Sequence, residues 1–128
     1  MIITTNQFHH LFGSGIAPGV DDGDYAAPGD RRVLLALSRC LRPRCVVEIG
    51  IQRGTTAALL LRESAWIEQY VGIDVPPDTV LARQQRELPQ HAGELAAADP
   101  RLSVLLIHGG SEELRASDPR LPRNVDMV

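Results

Sequence analysis

The residues most suited to chemistry in this sequence are two acids and two glycines at the ends of short apolar runs. Glu48 is next to last in one apolar run, and Gly50 and Gly54 follow it. Asp74 ends a second apolar run further along the chain. A glycine after a strand lets the backbone approach a ligand, because glycine has no Cβ. An acid at the end of the next strand can accept hydrogen bonds from both hydroxyls of a ribose. The pattern is typical of the first half of a nucleotide-binding βαβ unit.

The spacing of the glycines bears on the class of ligand. Turns that bind dinucleotides have the pattern G-x-G-x-x-G, in which the middle glycine admits the pyrophosphate. Here Gln52 occupies the middle position between Gly50 and Gly54. Glu48 also places negative charge beside the turn, which is unfavourable near a diphosphate and favourable near an ammonium or sulfonium group. These residues favour a cationic ligand, and a fragment of a NAD-dependent oxidoreductase is the weaker alternative.

The elements that must position these residues alternate between strand and helix. Asp30 is expected to be the N-cap of a helix, because Val33, Leu34, Leu37 and Leu41 follow it with helical spacing. A shorter helix is expected at 5–12. We expect strands at 45–49, 70–74 and 102–107, a fourth strand opening at Val125, and helical segments at 55–63, 78–98 and 111–117. This alternation predicts an α/β fold with a doubly wound parallel sheet. Its ligand-binding loops would lie at the carboxyl ends of the strands.

Composition and charge exclude several classes of function. The 128 residues are 44% hydrophobic and 23% charged, which is ordinary for a globular domain. The net charge of −3 offers no basic surface for nucleic acid. The sequence has neither an apolar run long enough for a membrane span nor a secretory signal, so the cytoplasm is the expected compartment.

The cysteines and adjacent histidines suggest no metal site. Cys40 and Cys45 lack further ligands at suitable spacing, and the neighbouring His9 and His10 would point in different directions on a helix. The segment 13–29 is rich in Gly and Asp and is expected to be a loop, either a connector or a lid over a ligand.

Two segments of the sequence resemble the motifs of a known protein family. Val47-Glu48-Ile49-Gly50-x-x-x-Gly54 and Gly72-Ile73-Asp74 resemble the first two motifs of class I S-adenosylmethionine-dependent methyltransferases, and most closely those of small-molecule O-methyltransferases. The resemblance implies that the glycine turn surrounds the methionine part of S-adenosylmethionine and that the acid after it holds the ribose. It implies a cofactor site made of Glu48, Gly50, Gln52, Gly54, Thr55, Asp74, Val75, Gly110 and Ser111.

The resemblance also implies how the chain is organised. Residues 30–128 would be a Rossmann-like cofactor-binding domain of about four strands in the order 3-2-1-4, after an N-terminal helix and loop at 1–29. The domain would be truncated in its fourth strand, at 124–128, before any substrate-binding residues. The implied activity is methyl transfer to an oxygen of a small molecule, with catalytic residues and a divalent metal both unassigned. A partner copy would cover the open edge of the sheet.

Several of the predicted site residues also have a purely structural interpretation. Gly50 and Gly54 could permit close packing of helix and strand. Glu48 could form an ion pair with Arg53 or another base, and Asp74 could be a turn residue. Ser111 could cap the helix that follows it. A non-catalytic Rossmann-like domain used for binding or assembly is therefore the alternative from a different functional class.

Overall fold

The computed structural model describes residues 4–16, 29–79 and 91–128, and in these ranges the chain is an α/β protein with a small open sheet. The sheet has three parallel strands in the order β1-β2-β3, and three helices accompany it there. The elements are α1 (Thr5–Phe12), α2 (Asp30–Leu41), β1 (Cys45–Ile49), α3 (Thr55–Glu63), β2 (Gln69–Asp74) and β3 (Leu102–Leu106), with short 3₁₀ helices at Glu94–Ala96 and Ser111–Glu113.

Helices α1 and α2 begin in different ways: α1 has a side-chain cap and α2 has none. In α1 the Thr4 hydroxyl accepts a hydrogen bond from the Gln7 N–H, and the Gln7 side chain accepts one from the Thr4 N–H, forming a capping box. Helix α2 begins after Gly29, which has a φ of 95°, and Asp30 is its first residue rather than the N-cap expected from the sequence. None of the helices in the described ranges is long and apolar enough to cross a membrane.

The strands separate two apolar clusters, because side chains alternate between the faces of a sheet. Val46 and Tyr70 lie on one face, which we call the helical face, and join side chains of α2 and α3 in the larger cluster. Val47 and Val71 lie on the opposite face, in a smaller cluster covered by residues after β3. A doubly wound sheet has helices on both faces, whereas the helices of the described ranges pack on one.

One predicted helix is shorter in the structure than expected, and parts of two other predicted segments lie outside the described residues. Segment 111–117 forms only a 3₁₀ turn over Ser111–Glu113, because Leu114 already has an extended backbone. Most of the loop at 13–29 and residues 80–90 of the helix predicted at 78–98 lie outside the described residues.

The expected fourth strand is a single bridge. Met127 pairs with Val46 in parallel, on the edge of β1 away from β2, and the Met127 carbonyl accepts a hydrogen bond from the Val47 N–H at 2.9 Å. Asp126 is the residue before Met127, and its carboxylate accepts hydrogen bonds from the backbone N–H groups of Arg44 and Cys45. The four-stranded order 3-2-1-4 is therefore not formed in the described residues, since this segment supplies one ladder position rather than a strand.

Arg101 connects the end of α3 to the start of β3. Its guanidinium donates hydrogen bonds to the carbonyls of Leu61, Ser64 and Ile67 at 2.6, 3.3 and 3.1 Å. The Asp99 carboxylate accepts further hydrogen bonds from the same guanidinium at 2.9 and 2.6 Å. The last carbonyls of a helix have no partner within the helix, so this arginine supplies what α3 lacks.

We predict that Arg101→Met lowers the free energy of unfolding by about 2–3 kcal/mol, because it leaves several carbonyls without a donor. Arg120→Met is a matched control: Asp118-Pro119-Arg120 repeats the sequence Asp99-Pro100-Arg101, and Asp118 holds Arg120 by the same local hydrogen bonds. Arg120 is exposed, so its loss should change little. Urea unfolding measures the free energy of unfolding of both variants. Equal losses in Arg101→Met and Arg120→Met would contradict the role given to Arg101.

Candidate functional site

The connection between β1 and α3 is a tight turn with an unusual backbone. Gly50 and Gly54 have φ values of 81° and 83°, and Gln52 between them has a φ of 48°. Positive φ is ordinary for glycine and unfavourable for a residue with a Cβ. The conformation of Gln52 therefore requires support from outside the turn.

That support comes from the end of β2. The N–H groups of Gly50 and Ile51 donate to the Ile73 carbonyl at 2.7 and 3.2 Å. The Gln52 N–H donates to Oδ2 of Asp74 at 2.6 Å, and Oδ1 of Asp74 accepts from the Val75 N–H at 2.8 Å. One carboxylate thus joins the turn to the next strand. A carboxylate offers about four acceptor positions, so two remain for a ligand.

Packing holds the turn from beneath. The buried side chain of Ile51 fills the space over Gly72, where a Cβ would overlap the Cδ1 atom of Ile51. The Gln52 carbonyl accepts a hydrogen bond from the Gly93 N–H at 2.6 Å. A Cβ on Gly54 would lie 2.9 Å from the Gly93 Cα. Gly54 therefore serves close packing, as its structural interpretation expected, and so does Gly72, for which no role was predicted. Gly50 has no atom within 4 Å of a Cβ, so close packing does not require a glycine there.

We predict that Gly54→Ala is more destabilising than Gly50→Ala. Both glycines have positive φ, which costs an alanine about 1 kcal/mol. A Cβ on Gly50 meets no atom within 4 Å, whereas one on Gly54 meets the backbone of Gly93, which should add about 2 kcal/mol. Thermal or urea unfolding of both variants gives the difference, and similar losses would show that the Gly93 contact relaxes freely.

A cleft of about 330 Å³ opens beside the turn, at the carboxyl ends of β1 and β2. Five of the residues predicted for the cofactor site line it: Gly50, Asp74, Val75, Gly110 and Ser111. Its other lining residues, which were not in the predicted cofactor site, are Ile49, Ile73, Gly109 and Glu112. Ser111 is the first residue of the 3₁₀ turn, whose N-cap is Gly110 rather than Ser111. Residues from separate parts of the chain therefore meet in one cleft.

The remaining predicted site residues are not among those that line the cleft. Gln52 reaches the cleft only through the hydrogen bond of its N–H to Asp74. Gly54 is buried against Gly93, and Thr55 begins α3 behind the turn. Glu48 lies on the helical face among buried side chains.

Glu48 is a carboxyl group enclosed by three elements. Its Oε2 atom accepts a hydrogen bond from the hydroxyl of Tyr70, which is 1% exposed, at 2.9 Å. Burial raises the pKa of Glu48 to about 7. Hydrogen bonds from Tyr70 and Thr56 and the positive charge of Arg31 oppose this increase, and the negative charge of Asp74 adds to it. Burial also raises the pKa of the Tyr70 hydroxyl.

The partners of Glu48 were not predicted from the sequence. Arg53, the base considered for it, forms an ion pair with Glu94 at 2.6 Å. Arg31, whose charge does act on Glu48, is 3% exposed in the first turn of α2. An acid in a buried strand signals that some partner is needed. Which residue becomes the partner depends on how distant elements pack together, and the local sequence pattern does not specify that packing.

We predict that Glu48 makes the protein less stable as the pH rises. The folded pKa of Glu48 is about 7 and its ordinary value is 4.5, so the folded state binds more protons between these values. The free energy of unfolding should fall by about 2–3 kcal/mol from pH 5 to pH 8. Glu48→Gln should remove this pH-dependent part, whereas Glu68→Gln, at an exposed carboxylate, should keep it. Urea unfolding across this pH range tests the prediction. If the free energies of unfolding of the wild type and of Glu48→Gln change with pH in parallel, Glu48 is not the group responsible.

Within the described ranges, no three His, Cys, Asp or Glu side chains are grouped so that they could hold a metal ion. The chain matches no protein-family model, no curated protein and no solved structure. The residues of the cleft and of the turn are therefore the basis on which a function can be assigned.

Proposed function

We propose that this chain is the cofactor-binding half of a Rossmann-like, S-adenosylmethionine-dependent methyltransferase that acts on an oxygen of a small molecule. The observation that carries the proposal is the position of Asp74. It ends β2, lines the cleft, and is held in place by backbone N–H groups from both sides. A carboxylate so fixed, with acceptor positions left over, suits the two vicinal hydroxyls of a ribose.

The other cleft residues suit the remaining parts of the cofactor. Val75 and the exposed side chain of Ile49 offer apolar surface for the adenine ring. Gly110 and Ser111, across the cleft, offer backbone and hydroxyl groups for its polar edge. Gly50 has no atoms beyond its backbone, and open space lies where its Cβ would be, so a ligand can approach the turn closely.

When bound, S-adenosylmethionine supplies an electrophilic methyl group on a sulfonium. The part of this chain would be to bind and orient: Asp74 holds the ribose end, and the glycine turn fixes the distance between the cofactor and β1. Methyl transfer is an in-line displacement that depends mainly on such positioning. We assign no catalytic residue among the residues described.

The hydrogen bonds of the turn weigh against a dinucleotide. A diphosphate at such a turn is bound by free backbone N–H groups. Here the N–H groups of Gly50, Ile51 and Gly54 donate to carbonyls of the protein, and that of Gln52 donates to Asp74. The same observation favours a second candidate, a non-catalytic domain in which these residues serve only to hold the fold together.

The proposal extends to the setting of the protein. We propose the cytoplasm as its compartment, a small-molecule methyl acceptor as its substrate, and neither nucleic acid nor a membrane as a partner. A second copy of the chain is the partner we propose for the open edge of the sheet.

The test is a calorimetric titration of the chain with S-adenosylhomocysteine. We expect micromolar binding that Asp74→Asn weakens by about 10- to 100-fold, the usual effect of losing hydrogen bonds to a charged group. Asp126→Asn is the matched control. Its carboxylate also accepts two backbone N–H groups, those of Arg44 and Cys45, at the opposite end of β1.

Circular dichroism and thermal unfolding should accompany each titration, because Asp74 also holds the turn. A folded wild-type chain that binds no S-adenosylhomocysteine would refute the proposed function and leave the non-catalytic domain. Binding of NADH in its place would favour the oxidoreductase alternative. Equal weakening by Asp74→Asn and Asp126→Asn would place the ligand elsewhere.

A further inference from the structure

Strand β3 lies at one end of the sheet, so only one of its two sides is paired. The backbone groups of successive residues in a strand point alternately to its two sides. The N–H of Ile107, directly after β3, donates to the Asp74 carbonyl of β2 at 2.9 Å, so the odd-numbered residues of this segment face β2. The outer side of β3 therefore carries the backbone groups of the even-numbered residues, Leu102, Val104 and Leu106.

Most of these outward groups make no hydrogen bond within the described ranges. The exception is the Leu102 N–H, which donates to the Asp99 carbonyl at 3.1 Å, and the Leu102 carbonyl and both backbone groups of Val104 and Leu106 are left over. Natural proteins protect such an edge with proline, charged side chains or a bulge. β3 has no proline and no charged residue, and it pairs with β2 without interruption. Its outer side can therefore accept a further strand.

The side chains on the helical face of β3 are all apolar. Leu102 is in register with Tyr70, whose side chain lies on that face, and Val104 and Leu106 follow it at intervals of two residues. Val104 is 38% exposed and Leu106 is 43% exposed. A strand added at the outer side of β3 would cover part of this apolar surface.

A second β3 strand fits this edge in one antiparallel register. When a two-fold axis passes beside Val104, Val104 lies opposite Val104 of the second copy, and Leu102 lies opposite Leu106 in both directions. Every outward residue then has a counterpart, and each pair on the helical face is apolar. A shift by one residue would set outward residues opposite inward ones, and a shift by two would leave an outward residue of each strand beyond the end of its partner.

We propose that β3 pairs antiparallel with β3 of a second copy of the chain, joining the two sheets into one continuous sheet. The inference rests on the part of the proposed function that assigns the sheet edge to a second copy, and it does not depend on the cofactor. Two-fold dimers are the commonest oligomers, and their interfaces must be self-complementary. The register centred on Val104 meets that requirement, which favours a second copy over a strand of another protein.

The size of the edge sets the expected strength of the dimer. β3 has 5 residues, whereas stable interfaces contain about 20–30 residues a side. We therefore expect a reversible dimer with a dissociation constant in the micromolar range.

The pairing also fixes where the two clefts lie. Each cleft is at the carboxyl ends of β1 and β2, and antiparallel copies turn these ends in opposite directions. The two clefts would lie at opposite ends of the joined sheet, so the dimer should bind one ligand per chain.

The experiment is sedimentation equilibrium from micromolar to millimolar concentration, with circular dichroism to confirm folding. Val104→Lys sets two like charges opposite each other and should weaken the dimer by about 100-fold. Val33→Lys is the matched control, because Val33 on α2 is 40% exposed, and it should leave the dimer unchanged. Val125→Lys tests the other edge of the sheet, since Val125 is 37% exposed and lies just before the bridge from Met127 to β1.

A cysteine crosslink tests the register without adding charge. In a Cys40→Ser background, which removes the exposed thiol, Val104→Cys should form a disulfide between copies on mild oxidation. Residues paired across such an axis have Cα atoms about 5.5 Å apart, a distance that a disulfide spans. Leu106→Cys is the matched control: it lies on the same face, and the two Leu106 positions would be at opposite ends of the strand pair, out of reach of each other.

Several outcomes would overturn the inference. One is a chain that stays monomeric at millimolar concentration, which would leave the edge to a strand of another protein. Another is a dimer that Val125→Lys dissociates and Val104→Lys does not. A third is a folded Val104→Cys protein that crosslinks no more than Leu106→Cys, and this result decides the question if Val104→Lys does not fold.

The cofactor site and the dimer fail separately. A dimer through β3 that binds no S-adenosylhomocysteine would refute the proposed methyltransferase and leave this inference standing. A monomer that binds S-adenosylhomocysteine would refute this inference and leave the cofactor site standing.

Discussion

The short hydrogen bond from the Gln52 N–H to the Asp74 carboxylate is the contact on which the site depends. It holds a residue with a Cβ at positive φ, a conformation that costs about 1–2 kcal/mol without compensation. Hydrogen bonds to an ionised acceptor are roughly twice as strong as neutral ones, so this contact can offset that cost. By joining the turn to the end of β2, it also places the glycine turn and the ribose-binding candidate on one side of the same cleft.

Asp74 and Glu48, two acids on one face of the sheet, have different surroundings. Asp74 is surrounded by backbone N–H groups at the border of the cleft. Glu48 lies deeper, where the side chains of Tyr70 and Thr56 form hydrogen bonds with it and burial opposes its charge. The difference follows from their positions along the strands. Asp74 ends β2, beside the loop N–H groups of Gln52 and Val75, whereas Glu48 lies within the part of β1 that pairs with β2. Burial thus raises the pKa of the deeper acid, Glu48, to about 7.

The pair of Asp-Pro-Arg sequences separates local from tertiary effects. In both, the aspartate accepts hydrogen bonds from the N–H and guanidinium of the arginine two residues later. This geometry involves only neighbouring residues, and it is the same in both places. Only Arg101 also reaches the carbonyls at the end of α3, because β3 begins beside that helix. The same three residues thus serve a surface turn in one place and a helix end in the other.

The sequence by itself determined the α/β pattern and, to within a residue, the extents of the helices Thr5–Phe12, Asp30–Leu41 and Thr55–Glu63. The reason is that apolar periodicity and glycine or proline at the helix ends act within a few residues. It also indicated residues that meet in the cleft, such as Asp74 and Gly110, since parallel strands bring their carboxyl ends together. Only the tertiary structure decided that Glu48 pairs with Tyr70, that Gln52 adopts positive φ, and that Met127 forms a bridge rather than a strand. Those outcomes depend on register and on packing between distant segments, which no local pattern specifies.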